Sequence, residues 1–355
     1  MSKLLPRFAG PMLWGTSQAG GTLLLASSAW MISGLTNSPF LNGLMPAVGA
    51  LPVLLNLKCN HKGYWIQVFG VGLLLIFSFF YSQDQTAKIV LLLATYFTIF
   101  IYGVGQETSM VPIQAGIIAT SGVSMKSIQI GQDIGILSGN LMTAIFFPAV
   151  RQFIPALILM LPMAQFLRRS RANLETLELQ SKLPKKLDFN RLCLIQGLVL
   201  GSLFSMLALW VREIDNGKCF DFAMVLVAYA VGRSLVSFVP KMPASIRYIL
   251  IILFLILIEL IPFPWLSITM FAVIGALVSA SDFSLVEGLD SAGDIPSRWQ
   301  VMQNSSALGG LVGSLILGLI CEIIGLNFAL ICVCVGFATL AIMTSRNNNI
   351  VTFPN

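Results

Sequence analysis

Long apolar stretches alternate with short polar ones along the whole chain. Each apolar stretch runs for about 15 to 23 residues, close to the length that an α-helix needs to cross the hydrocarbon core of a membrane. The apolar positions are continuous rather than alternating, which predicts helices and not barrel strands. We predict twelve spans, at residues 11–33, 40–57, 63–82, 88–106, 129–150, 153–167, 192–211, 222–239, 247–262, 265–285, 303–324 and 327–344.

The longest polar interruption, residues 168–191, divides these spans into two sets of six. We therefore predict two six-helix halves, residues 1–167 and 192–355, joined by a charged cytoplasmic connector. Anionic membrane lipid is a sufficient partner for a basic segment beside a membrane. The connector carries seven basic residues: Arg168, Arg169, Arg171, Lys182, Lys185, Lys186 and Arg191.

Composition agrees with a membrane protein. The chain of 355 residues is 56% hydrophobic and only 10% charged, and its mean hydropathy is +0.86. Soluble domains have roughly 25% charged residues, so this chain could not cover a soluble surface. Lys3 and Arg7 before the first apolar run resemble the start of a signal peptide. The run is too long for a signal peptide and contains Gln18, which favours a retained first span.

The distribution of basic residues predicts the orientation. With both termini in the cytoplasm, sixteen lysines and arginines fall on the cytoplasmic side and four fall outside, namely Lys88, Arg151, Arg212 and Lys218. Such a bias is typical of proteins inserted by the positive-inside rule. We therefore expect an integral protein of the cell (inner) membrane. The net charge of +6 then needs no nucleic-acid partner.

The side chains that most enzymes and metal sites require are scarce. The chain has six cysteines without paired metal spacing and one histidine, His61, which lies in a predicted loop. No phosphate-binding loop of the G-x-x-x-x-G-K-[ST] type is present. We expect no catalytic residues, no metal and no cofactor, and a membrane enzyme is the least favoured function class.

A glycine pattern repeats between the halves. Gln129, Gly135 and Gly139 recur as Gln303, Gly309 and Gly313, 174 residues later. Small residues four apart allow two helices to approach closely in lipid. The pattern lies in spans five and eleven, six spans apart, which predicts a parallel repeat of six-helix halves.

On these features the sequence resembles the major facilitator superfamily. Residues 36–44, Thr-Asn-Ser-Pro-Phe-Leu-Asn-Gly-Leu, are similar to the T-x-S-x-F-x-x-G-L motif of its siderophore-exporter and drug-efflux branch, and Leu51-Pro52 follows. Residues 295–298, Ile-Pro-Ser-Arg, lead into Gln303 and Gly309 as in that family. The resemblance implies a monomeric all-α membrane transporter of twelve helices. It also implies that spans one, four, seven and ten line a central cavity.

One loop departs from the family pattern. The family motif between spans two and three, G-x-x-x-D-R-x-G-R-R, contains an acidic residue that helps to close the cytoplasmic side. Here residues 57–64 read Leu-Lys-Cys-Asn-His-Lys-Gly-Tyr, without an acid. This loss and the short loops motivate an alternative function, in which a transporter-like fold serves as an assembly or pigment- and cofactor-delivery factor.

Polar side chains within the four cavity-lining spans are the candidates for substrate binding, because such groups are costly in a membrane. Packing of small residues between helices is the alternative interpretation for span one. The candidates are Gln18, Thr22, Tyr102, Gln106, Gln196 and Ser202.

The charged residues near the span ends are candidates for coupling and gating. Asp133 is the candidate for proton coupling, with capping or pairing to Lys126 as the alternative. Pairs between halves among Glu107, Lys126, Asp282 and Arg298 are candidates for a cytoplasmic gate, with solvation at the membrane surface as the alternative. For Arg233 we consider two roles, binding of an anionic group and a structural pair with Asp282. The resemblance to the efflux branch implies export of a small amphiphilic organic compound, and Asp133 is the residue through which proton exchange would drive it.

Overall fold

A computed structural model describes residues 9–55, 57, 60–79, 85–146, 153–169, 188–213, 217–261, 264–289 and 295–347. Within these ranges the chain forms twelve α-helices, numbered here in chain order. In the first half they are α1 Ala9–Leu35, α2 Pro39–Leu54, α3 Gly63–Phe79, α4 Gln85–Ser121, α5 Met125–Phe146 and α6 Phe153–Arg169. In the second half they are α7 Arg191–Glu213, α8 Cys219–Ser234, α9 Ala244–Leu260, α10 Pro264–Glu287, α11 Ile295–Ile324 and α12 Ala329–Asn347.

Five helical segments, the last of which includes a short 3-10 turn before α12, are long and apolar enough to cross a membrane by themselves: Lys88–Met110, Arg191–Glu213, Trp265–Glu287, Arg298–Ile324 and Leu326–Arg346. Shorter apolar helices include α2 and α3, of 16 and 17 residues. Helices this short can still span a bilayer when their flanking side chains reach the interface or the bilayer thins locally. The fold is therefore that of an all-α integral membrane protein, as predicted.

Helix α4 differs most from its predicted span. It does not end at Gln106 but continues through Pro112 to Ser121, for 37 residues. At 1.5 Å per residue it is about 56 Å long, well beyond the membrane core. Its apolar part ends at Met110. It terminates at Gly122, which has a φ of +62° and donates its amide to the Ile118 carbonyl at 2.9 Å. Hydropathy had identified the end of the span and not the end of the helix.

The chain forms two compact units. The first contains residues 1–35 and 48–186, and the second contains residues 36–47 and 187–355. Most of the predicted connector, residues 170–187, lies outside the described residues. Inside each unit the same helix pairs are in contact: α1 with α5 and α6, α3 with α4 and α6, and correspondingly α7 with α11 and α12, α9 with α10 and α12.

The repeated glycines explain the first of these pairs. Gly135 of α5 lies directly against the Gly15 carbonyl of α1, and Gly309 of α11 lies in the same way against the Leu194 carbonyl of α7. One turn further, Gly139 lies against Ala19 and Gly313 against Leu198. The partners on α1 and α7 are 179 residues apart in both cases (15 and 194, 19 and 198). The two units therefore use the same helix contact, which lets the backbones approach without side chains between them.

Candidate functional site

A buried polar network in the second unit joins four helices. Asp282 of α10 is the central residue, and its side chain is only 4% exposed. Arg233, in the last turn of α8, forms an ion pair with Asp282 Oδ2 at 3.0 Å. Gln196 of α7 donates its amide to Asp282 Oδ1. Tyr248 of α9 donates its hydroxyl to Gln196 Oε1 at 2.6 Å. Side chains from α7, α8, α9 and α10 thus form one continuous hydrogen-bonded chain.

The helices place these groups together through close backbone contacts. Gly232 of α8 lies directly against the Ala272 carbonyl of α10, and Gly275 of α10 lies against the Tyr229 carbonyl of α8. Without a side chain at either glycine, α8 and α10 approach closely enough for Arg233 to reach Asp282 from the neighbouring turn. The Arg233 guanidinium also lies 6.0 Å from the centre of the Tyr229 ring, within the range of a cation–π contact.

The Arg233 side chain is the accessible end of the network. It is 42% exposed, whereas its partner Asp282 is almost completely enclosed. A guanidinium has five N–H donors, so the exposed part of Arg233 can bind an anionic or hydrogen-bonding ligand while one N–H remains with the carboxylate. The opposite end of the network is closed by Tyr248, whose ring stacks on Phe337 of α12 at 6.2 Å.

A second arginine lies beside the network but has a different role. Arg247 of α9 is the first residue of the predicted ninth span and was counted with the cytoplasmic basic residues. It is buried, at 4% exposure, in the first turn of the helix. Its guanidinium donates to the Ser281 hydroxyl at 3.1 Å, to the Ser284 hydroxyl at 2.6 Å and to the Met242 carbonyl at 3.1 Å. These bonds fix the start of α9 against α10, directly beside Asp282.

The first unit contains an uncharged counterpart of this network. Tyr64, at the start of α3, meets the Ser17 hydroxyl of α1 at 2.8 Å and donates to the Met160 carbonyl of α6 at 2.9 Å. The offset of 179 residues between α1 and α7 relates Ser17 to Gln196. In both units, therefore, a tyrosine at the start of the third helix bonds to the same position of the first helix. Among the described residues, only the second unit extends this bond to an ion pair.

The other predicted substrate-binding residues are spread over both units. On α1, Thr22 is half-buried with its Cβ close to Gly139 of α5, and Gln18 is half-buried. Tyr102 of α4 is buried with its hydroxyl directly against Gly21 of α1. Gln106 is half-buried on α4. Around Thr22 and Tyr102 the structure shows close packing between helices, which was the alternative interpretation of span one.

Ser202 lies in a different environment. Its hydroxyl donates to the Gly313 carbonyl at 2.9 Å, so its proton is already used within the second unit. It borders a hollow of about 430 Å³, counting the space open to its surroundings. Except for Ser202, the lining is apolar and includes Met206, Trp210, Leu255, Phe271 and Leu317. This hollow offers volume for an apolar group but few hydrogen bonds.

The predicted coupling and gating residues are not all brought together. Asp133 is exposed on α5, and Glu107 is half-buried one turn before the end of the apolar part of α4. Arg298, in the first turns of α11, donates to the Glu287 carbonyl at 3.4 Å. The side chain of Lys126 lies outside the described residues. Asp282, expected to pair between halves, is instead engaged by Arg233 of its own unit.

The altered loop between α2 and α3 is docked by its backbone. The Asn60 amide donates to the Thr108 carbonyl of α4 at 2.7 Å, and the Asn60 side chain accepts from the Lys62 amide at 2.8 Å. Gly63 lies directly against the Thr108 hydroxyl. The family motif has an acid in this loop, and here an asparagine with main-chain contacts holds the loop to α4. The described residues contain no cluster of three or more histidine, cysteine or acidic side chains that could hold a metal.

Several of these groups were missed by sequence reasoning. Tyr64, Tyr248 and Arg247 lie at the starts of α3 and α9, and none of them was named as a site residue. The signal that could have identified the tyrosines is their similar position, the second residue of α3 and the fifth of α9. No such signal marks Arg247, because charge alone does not distinguish a buried helix start from a loop.

Comparisons with known structures identify the fold. A mutant of the nucleoside transporter NupG matches 96% of this chain and 99% of its own, with a TM-score of 0.64 and 13% identity. The E. coli xylose transporter XylE, in an inward open conformation, matches 93% of this chain and 94% of its own, with a TM-score of 0.62 and 12% identity. A D-xylose–proton symporter matches 95% and 96%, with a TM-score of 0.58 and 12% identity. No family model and no curated protein sequence matches the chain.

These structures belong to transporters of the major facilitator type, and the chain shares their fold over nearly its whole length. It is an integral membrane protein of two pseudo-symmetric six-helix halves, as the resemblance had implied. At 12–13% identity the likeness concerns the fold. The site residues and the substrate must be argued from this chain itself.

Proposed function

We propose that this protein is a secondary active transporter of a small organic compound, which works by alternating access of its two halves. The observation that carries the proposal is the Asp282–Arg233 pair with its link to Gln196 and Tyr248. The fold supplies the framework, since the similar solved structures are a nucleoside transporter and xylose transporters.

The physical argument rests on the cost of the pair. Removing the Asp282 carboxylate from water costs several kcal/mol, which its attraction to the partly exposed Arg233 only partly returns. Well-packed apolar side chains would hold α8 and α10 together equally well. Ionisable residues inside membrane helices are therefore functional candidates by default. Asp282 can change its proton or its partner, and either change alters the contacts of four helices.

We propose that Asp282 is the coupling carboxylate and that Arg233 receives the ligand at its exposed side. Asp133, the coupling residue expected from the sequence, remains a second candidate. It differs from Asp282 in that its side chain is exposed on α5. Gln18 and Gln106 are the amides that we propose for hydrogen bonding to the substrate. Gln196, which the sequence also offered, is proposed to position Asp282 instead, because both ends of its buried amide are already bonded. Glu107, Lys126 and Arg298 remain proposed gating residues at the helix ends.

We propose a small amphiphilic compound as the substrate and export as the direction. Export rests on the motif at residues 36–44, and the apolar hollow beside Ser202 supports a substrate that is partly apolar. The similar structures carry nucleosides and xylose, one of them with protons, according to their descriptions. A substrate screen should therefore contain nucleosides and pentoses as well as amphiphilic compounds.

The test is proton flux in liposomes that contain the purified protein and a pH-sensitive dye. Each compound of the screen is added to wild type and to Asp282→Asn, Asp133→Asn and Asp221→Asn. Asp221 is the matched control, because it accepts from the Lys218 amide at the start of α8 and lies outside the network. We expect a compound-dependent proton signal in wild type and in the control, and none in Asp282→Asn.

Two other results would change the proposal. A signal that persists in Asp282→Asn and disappears in Asp133→Asn would move coupling to α5. No signal with any compound, together with stable co-purification of a large partner complex, would favour the assembly or delivery role.

A further inference from the structure

Helix α2 is shared between the two compact units. The chain leaves the first unit after Leu35, contributes residues 36–47 to the second unit, and returns to the first unit at Val48. Because α2 runs without interruption from Pro39 to Leu54, one helix belongs to both units. Any movement of one unit against the other must therefore bend α2 or detach its first half.

The start of α2 is held by one acidic side chain of α11. Glu322 Oε2 accepts a hydrogen bond from the Ser38 hydroxyl at 2.7 Å and another from the Phe40 amide at 3.1 Å. The Phe40 amide is one of the first N–H groups of α2, which have no partner within the helix. A carboxylate at this point also meets the positive end of the helix dipole. Glu322 thus caps α2 from a helix 284 residues away in sequence.

The surrounding backbone fits this contact closely. A Cβ at Gly318 of α11 would lie 3.1 Å from Phe40 Cα, and Gly43 of α2 lies directly against the Ser314 carbonyl of α11. Ser38, Phe40 and Gly43 are three of the five residues that segment 36–44 shares with the family motif, the other two being Thr36 and Leu44. In this structure all three contact α11.

The residues before α2 are ordered by their own hydrogen bonds. The Asn42 side chain donates to the Thr36 carbonyl at 3.1 Å and to the Ser38 carbonyl at 2.9 Å. The Ser38 hydroxyl accepts from the Leu41 amide at 3.2 Å. Residues 36–42 therefore form a compact turn that presents Ser38 and Phe40 to Glu322 without further ordering.

Helix α8 occupies the corresponding place in the second half and is capped differently. Its own Asp221, in the first turn, accepts from the Lys218 amide at 2.7 Å. Helix α2 has no acidic residue in its first turn and takes its carboxylate from α11. The cap of α8 persists wherever α8 moves, whereas the cap of α2 exists only while residues 36–47 stay with α11.

We propose that Glu322 is a releasable latch, which holds the first half of α2 on the second unit in one conformation and lets it go in another. Both hydrogen bonds are exposed, so water can replace Glu322 at little cost when α2 detaches. The buried Asp282 pair, in contrast, cannot be replaced by water so easily. The latch rests on the proposed function, because it assumes that the two units move during transport.

The test measures the distance between nitroxide labels at Asn37 and Ile323, both exposed beside the latch. A ketone-bearing unnatural amino acid carries each label, so that the native cysteines stay in place. Dipolar broadening reports the short distance and pulsed measurements report longer ones. The variants are Glu322→Gln, which keeps the size but removes the charge, Ser38→Ala, and Asp221→Asn as the control with an altered cap on α8.

We expect wild type to contain a short-distance and a long-distance population. Glu322→Gln should lower the ratio of short to long about fivefold, the effect of removing a negative charge from the N-terminus of a helix. Ser38→Ala should lower it less, and Asp221→Asn should leave it unchanged. Equal ratios in wild type and Glu322→Gln would overturn the latch, as would a single short distance in every variant. The measurement needs no substrate, so its outcome is independent of whether the liposome assay detects transport.

Discussion

The side chain of Asp282 is the central acceptor of the buried polar network in the second unit. It is enclosed by groups from three other helices, and two of its partners, Arg233 and Gln196, are themselves bound to aromatic residues. A buried carboxylate that loses its cation becomes strongly unfavourable, whereas an exposed arginine that loses its anion is resolvated. The two members of the pair should therefore respond differently to substitution.

We expect Arg233→Gln to lower the free energy of unfolding by about 1–3 kcal/mol, less than for a fully buried pair because Arg233 is 42% exposed. Adding Asp282→Asn should recover part of the loss, since it removes the uncompensated charge. Thermal unfolding in detergent measures both effects, and Arg346→Gln, at the exposed end of α12, is the control. Equal losses for the single and the double variant would contradict this account.

The two equivalent tyrosines permit a second test. Tyr248→Phe leaves the Gln196 oxygen without its donor, and Tyr64→Phe leaves the buried Ser17 hydroxyl without its partner and removes the bond to the Met160 carbonyl. An unsatisfied buried acceptor costs about 1–3 kcal/mol, so both variants should unfold earlier. Only Tyr248→Phe should also change proton flux, because only the second unit contains the ion pair. Thr339→Val, whose hydroxyl donates within α12, provides the control. A loss of flux in Tyr64→Phe alone would oppose the assignment.

Helices α5 and α11 show how a sequence repeat becomes a repeated contact. Each places two glycines against backbone carbonyls of its partner helix, α1 or α7, and the offsets match between units. In lipid no hydrophobic effect drives helices together, so close backbone approach provides much of the attraction. The glycines are therefore required for packing and not for conformational freedom.

We expect Gly309→Ala to destabilise the protein by about 1–3 kcal/mol, because its Cβ would overlap the Leu194 carbonyl and α7 and α11 would separate. Gly72→Ala on α3 is the matched control, since a Cβ there has no atom within 4 Å. That control should be neutral or slightly stabilising, because alanine favours the helix. Unfolding in detergent compares the two, and similar melting temperatures would contradict the packing explanation.

Over the whole molecule, the distribution of charge predicts the orientation in the membrane. Lys218 and Lys241 flank α8 at its two ends, and both side chains are exposed. With the termini in the cytoplasm, residue 218 lies outside and residue 241 inside. Ser38 and Glu322 are in contact, so both must lie on the same side of the membrane. The chain must therefore cross the membrane an even number of times between them, which agrees with the ten spans predicted there.

We expect a membrane-impermeant thiol reagent to label Lys218→Cys in intact cells and Lys241→Cys only after the membrane is opened. The parent chain measures the background from the native cysteines, several of which are buried. Labelling in the reverse order would invert the predicted topology, and labelling of both in intact cells would remove α8 as a crossing helix.

The sequence predicted the apolar limits of the membrane spans more accurately than the ends of the helices that contain them. Hydropathy reports how long a segment stays in lipid, so the apolar end of α4 was placed within four residues, at Gln106 instead of Met110. Residues 111–121 continue the helix and are mostly apolar, with Pro112 and Gln114 among them, so hydropathy alone did not mark the end of the helix. The burial of Arg247 was not predicted, since a charge at the end of an apolar run is usually solvated, and this one is buried and bonded to two serines of α10.

Polar partners were harder to predict. Arg233 and Asp282 were named as a possible pair from their charge, but neither Tyr248 nor Ser17 was selected. Which side chains meet depends on the rotation of each helix about its axis and on the distance between helices. Both are decided by close backbone contacts such as that of Gly232 with Ala272. Hydropathy and charge counts contain neither quantity.

The sequence by itself determined the number of spans, their division into two sets of six and the repeated glycine contact, because each depends on composition and spacing along one chain. The tertiary structure alone decided which groups surround Asp282 and that Glu322 caps α2. These partners come from helices that lie 86 and 284 residues apart in sequence. Such contacts form only when packing has set the position and rotation of each helix, and no local pattern encodes that arrangement.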